Sequence, residues 1–167
     1  MAGKALEIYL NDHLAGAAFG CELARRVLRE NEGTQFAPVL RELVAEIEHD
    51  RAELGALRAR LGVPRDRLKE TGGWLAEKAG RLKPNDGGGG YSPLSRLLET
   101  EGLTGGVQAK LLLWRSLREL APTDARLDAG ELDRLVGRAQ SQLDRLTELH
   151  AQAARLALPG SSSRPSG

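Results

Sequence analysis

The stretch from Phe36 to Leu61, FAPVLRELVAEIEHDRAELGALRARL, constrains the fold more than any other part of the chain. Its apolar residues fall at Phe36, Leu40, Leu43, Ile47, Leu54, Leu57 and Leu61, in alternating steps of four and three. Asp50 stands at the one place where the alternation calls for a further apolar residue. Such a run is the buried seam of a long helix that packs against neighbouring helices. It also carries an acidic cluster with one histidine, Glu46, Glu48, His49, Asp50 and Glu53.

The rest of the chain reads the same way. Ala, Leu, Arg and Glu dominate the 167 residues, which suits a helical protein of one domain with room for a core. A net charge of +1 gives no global field towards nucleic acid or membrane. Cys21 is the single cysteine, so no internal disulfide forms, and it reads as a small apolar core residue. No apolar run reaches the roughly 18 to 20 residues of a membrane span. The N-terminus meets Asn11 and Asp12 before a signal-peptide core develops, so a cytoplasmic protein is expected.

A first helix is expected from Lys4 to Glu30, with Leu6, Leu10, Leu14, Ala17, Cys21, Ala24 and Leu28 on one face. Its stretch Ala15–Ala18 is small enough for a close neighbour. Gly33 closes it, Thr34 is the expected cap of the next helix, and Pro38 falls in that helix's first turn. Ser92–Pro93 starts a third helix, with Leu94, Leu97, Leu98, Leu103, Val107, Leu111, Trp114 and Leu117 inward. Gly102, Gly105 and Gly106 inside it imply a kink or a close crossing. A fourth helix is expected from Ala125 to Leu158, with Leu156 among its inward residues. The domain is thus 1–158, and the tail 159–167 is disordered by composition.

The turn between the first two helices is short, as is the turn between the last two. The connection from Gly62 to Tyr91 is about 30 residues, too long to join adjacent antiparallel helices. The expectation is an all-α four-helix bundle with a long, partly helical crossover, 62–92, between helices two and three. Glu46-Ile47-Glu48-His49 adds a Glu-x-x-His motif on the second helix. Together these features resemble the ferritin-like superfamily, across nearly the whole chain.

The resemblance implies a carboxylate-bridged di-iron or di-manganese centre, with Glu22, Glu46 and His49 as one half and Asp144 and Glu148 facing them. The second half is incomplete. His150 follows Glu148 by two residues rather than three, and Gly105–Gln108 occupies the level on the third helix where a bridging Glu belongs. The sequence therefore reads as a ferritin-like interaction or scaffold protein without a complete metal site; the alternative is an oxidoreductase using iron or manganese.

Helix counting also places His13 one turn from Asp50, and a buried polar contact between His13 and Asp50, joined by Asp12, is expected. The basic stretch 58–83 around Trp74 lacks the aromatic series that stacks bases, so it reads as solvated surface rather than a nucleic-acid site. The tetraglycine 87–90 is not followed by Gly-Lys-Ser/Thr and reads as linker. The small-residue stretches allow a homodimer, although no exposed apolar stripe asserts one.

Overall fold

Four runs of strong helix formers become four helices in the computed structural model, which describes residues 3–66 and 90–158. They are α1 (Lys4–Glu30), α2 (Ala37–Arg60), α3 (Pro93–Leu120) and α4 (Ala129–Ala157). No strand occurs among the described residues, and none of these helices is long and apolar enough to cross a membrane. The readings made above for 67–89, including Trp74 and the crossover's helical pieces, and for the tail 159–167 lie outside the described residues.

The helix ends follow local chemistry. The Ser92 hydroxyl accepts the Ser95 N–H at 3.0 Å, and Pro93 opens α3. Asp128 caps α4 in the same manner, accepting the Glu131 N–H at 2.6 Å. That cap starts α4 at Ala129 rather than the expected Ala125. The residues before it form turns held by Arg126, whose guanidinium grips Asp124 and the Leu61 carbonyl. Thr34 is not the cap of α2. Its hydroxyl accepts the Phe36 N–H inside the turn, and α2 begins at Ala37 without a side-chain cap. Gly33, at φ +80°, takes the left-handed conformation that closes this turn.

Each helix packs on two others: α1 on α2 and α3, and α4 on α3 and α2. Every neighbouring pair is antiparallel. Asn11 meets Pro64, just past α2, and Cys21 meets Ile47 between α1 and α2; Tyr9 meets Ser116 and Arg26 meets Glu99 between α1 and α3. Glu53 meets Arg134 and Glu46 meets Arg145 between α2 and α4, and Arg118–Asp133 and Glu101–His150 pair α3 with α4. It follows that α2 and α3 run parallel across the bundle's diagonal. Pro64, beyond the end of α2, receives a hydrogen bond from Asn11, while Tyr91, ahead of α3, bonds Asn31 at the opposite end. Pro64 and Tyr91 therefore lie at opposite ends of the bundle, the length of a 24-residue helix apart, about 36 Å.

The core is one cluster. Leu10, Val27, Leu43, Leu57, Leu111, Trp114, Leu132, Leu135 and Leu146 are all but fully buried. Cys21 is among the core residues, and burial raises its thiol pKa above the ordinary value. Three expected core residues are outside: Leu94, Leu98 and Leu156 are 36 to 50% exposed. At the start of α3 the buried stripe runs through Ser95, Leu97, Glu99 and Leu103, so Leu94 and Leu98 lie beside it. With Glu46 opposite Arg145, Ala37 falls level with about residue 154, so Leu156 lies past the start of α2.

At that end α3 also buries a charge. Glu99 is 1% exposed, and Arg26 Nε lies 3.0 Å away but out of line, so neither carboxylate oxygen accepts a hydrogen bond among the described residues. Burial raises its pKa, and the Tyr91 hydroxyl and Arg26 only partly oppose this. A folded-state pKa above the unfolded value means that folding favours the protonated carboxyl, and that this stability is lost as pH rises through the folded pKa. Glu99→Gln is therefore expected to stabilise the protein at pH 7 by on the order of 1 kcal/mol. The gain should vanish below about pH 4. Urea denaturation at the two pH values measures both; a gain independent of pH would remove the ionised carboxylate as its cause.

Candidate functional site: a polar core network beside an apolar cleft

Asp50 of α2, Lys110 of α3 and Gln142 of α4 each stand in step with the seam of their helix, and the three meet. Asp50 of α2 is 2% exposed. Its Oδ2 accepts from Lys110 Nζ of α3 and, at 3.0 Å, from Gln142 Nε2 of α4. Its Oδ1 accepts from Arg138 Nε at 2.7 Å. Lys110 also donates to Gln142 Oε1 at 2.5 Å, and Gln142 Nε2 reaches Glu46 Oε2 at 3.0 Å. Arg145 then closes on Glu46 at 2.6 Å. Burial lowers the Lys110 pKa, with Asp50 pulling the other way. Burial alone would raise Glu46, but hydrogen bonds from Arg145 and Gln142 bring it below the ordinary value.

The expected pairing of Asp50 with His13 is therefore corrected. Asp50 faces the bundle axis, where α3 and α4 supply its donors. His13 instead packs edge-on against Tyr9, ring centroids 4.6 Å apart, and burial lowers its pKa.

The expected metal ligands are not brought together. Glu22 is exposed and held by Arg25 at 2.5 Å. Glu46 is held by Arg145 and Gln142, while His49 turns outward to Glu53 at 2.7 Å. Asp144 takes a hydrogen bond from Gln140 on its own helix, and Glu148 is exposed. Among the described residues no group of three or more His, Cys, Asp or Glu side chains could hold a metal ion. The donor set does not fit a dication, because Lys110, Arg138 and Arg145 occupy the carboxylate oxygens that would bind it.

Gly105 and Gly106 do something other than expected. A Cβ built at Gly20, Gly105 or Gly106 meets nothing within 4 Å, so none of these glycines admits a close helix crossing. They border an apolar cleft of about 610 Å³ between α1 and α3. Gly16, Ala17 and Gly20 line it from α1, and Gly102, Gly106 and Ala109 from α3. Ile47 and Leu54 of α2 and Leu113 and Trp114 of α3 supply larger apolar walls. Asp50 and Lys110 also line it, so the polar network borders the cleft. The Trp114 side chain is fully buried, and its indole N–H has no acceptor among the described residues.

Arg51 lines this cleft too, and lines a second cavity of about 410 Å³ together with Glu48, Arg58 and Arg65. Sequence reasoning missed Lys110, Gln142 and Arg51. The first two were visible as polar residues in step with their seams; nothing in the pattern marked Arg51. Comparison of the chain with family models, with curated proteins and with solved structures finds no match to any of them.

Proposed function

We propose that this is a non-enzymatic binding protein of ferritin-like connectivity, which holds an elongated apolar small molecule in the cleft between α1 and α3. The connectivity rests on the antiparallel neighbours and on the parallel diagonal pair that 61–92 joins. The single observation that carries the binding role is the cleft. Its volume lies within the roughly 300–1,000 Å³ of small-molecule sites, and apolar walls with a few polar groups at one side are their usual composition. A bundle that merely needed a core would gain by filling this space, since empty apolar volume forfeits dispersion contacts.

The test uses N-phenyl-1-naphthylamine, a neutral dye that fluoresces in apolar surroundings. Saturable binding of one dye per chain is expected. Gly106→Leu, which places a side chain in the open space, is expected to weaken it at least tenfold, with helix content and melting temperature retained. Unsaturable fluorescence would sink the proposal. So would dye binding that arises only after Trp74→Ser and Leu75→Ser, since the chain's own segment would then be the occupant.

A further inference from the structure

We infer that the molecule held in the cleft is an amphiphile with an anionic head, such as a carboxylate, and that the Arg51 guanidinium receives that head. This rests on the cleft being the binding site and names the class of ligand that it takes.

The inference starts from the charges along the cleft, whose lining includes Asp12 and His13 of α1, Asp50 and Arg51 of α2 and Lys110 of α3; Asp12 is itself engaged. Asp50 is neutralised by Lys110 and Arg138, and Lys110 spends its protons on Asp50 and Gln142. Neither is available to a ligand without breaking a buried network. Arg25 holds Glu48, the acidic neighbour of Arg51 in the second cavity. Arg51 differs from all of these. It is partly buried, lines both cavities, and makes no hydrogen bond or ion pair among the described residues. The other arginines of α2 are engaged or turned away: Arg41 pairs with Glu32, Arg58 donates to the Val63 carbonyl and Arg60 pairs with Glu131.

A guanidinium kept partly out of water without a partner forgoes its strongest interactions, two parallel hydrogen bonds to a planar anion. An apolar cleft with one such cation on its wall is complementary to a chain that ends in a carboxylate. A wholly apolar ligand would leave the Arg51 guanidinium without a partner, whereas a ligand carrying an anionic oxygen satisfies it.

The experiment displaces the naphthylamine dye with dodecanoate and with dodecanol, both below their aggregation concentrations, and reads the ratio of the two affinities within each variant. Wild type is expected to prefer dodecanoate about tenfold, the scale of one charge-assisted hydrogen bond at a partly wet site. Arg51→Gln is expected to bring the ratio near one. Arg51→Glu is expected to reverse it, favouring dodecanol over dodecanoate. Dye binding with a wild-type ratio near one, or a ratio that Arg51→Gln leaves unchanged, overturns the assignment of Arg51 while the cleft stands as the site. Loss of saturable dye binding in the wild type overturns the cleft itself.

Discussion

Asp50→Ala is expected to cost about 3–5 kcal/mol and to lower the melting temperature by roughly 6–20 °C. The cost comes from what the substitution leaves behind. Lys110 and Arg138, whose side chains are 14% and 19% exposed, would face one another across the vacated carboxylate, and Gln142 would lose an acceptor. Lys110→Met should cost less, because Asp50 keeps Arg138 and Gln142 and the thioether chain follows the path of the lysine stem. The ordering matters more than either value. Asp50 is the hub of this network, so its loss leaves Lys110 without a carboxylate and Arg138 with Glu53 alone at 3.6 Å, whereas loss of Lys110 orphans no charge. Thermal or urea denaturation of the two variants decides it. Equal costs, or an Asp50→Ala melting temperature within about 2 °C of wild type, would mean that water reaches the cations freely and that the network has little to do with stability.

The network also marks how far the sequence could be read. The seam of α2 runs through Asp50 in steps of three and four; that of α3 runs Leu103, Val107, Lys110, Trp114, Leu117, and that of α4 runs Leu135, Ala139, Gln142, Leu146, Leu149. A polar residue stands in each, and a polar residue on a seam must find its partner on a facing seam. The helices, the antiparallel hairpins and the burial of Asp50 follow from periodicity and turn chemistry alone. The choice of partner does not. It depends on which seam faces the bundle axis, and that is set by packing across the diagonal between helices that the sequence separates by a long connection. His13 was at the right height on the wrong side. The exposure of Leu94, Leu98 and Leu156 was hidden for a similar reason: periodicity assigns a face to each residue but does not say how wide a stripe the facing helices cover or where they end.

The glycines carry the same lesson and the second large effect. Replacing Gly20, Gly55, Gly105, Gly106 and Gly137 together with alanine is expected to stabilise the protein by roughly 2–5 kcal/mol, at about 0.4–1 kcal/mol per position. Each lies inside a helix, each Cβ would meet nothing within 4 Å, and none has positive φ. A chain selected only for stability would carry alanine at these places. Gly20, Gly105 and Gly106 border the cleft, and Gly137 does not line it. The stabilisation should therefore split into two kinds. Alanine at Gly20, Gly105 and Gly106 is expected to raise the melting temperature while weakening naphthylamine binding, because three methyl groups narrow the space. Alanine at Gly137 is expected to raise the melting temperature with binding intact. That divergence is the signature of an opening kept at the expense of helix stability. If the cleft substitutions destabilise the fold instead, the space beside them is filled by the protein itself, and the glycines serve packing after all.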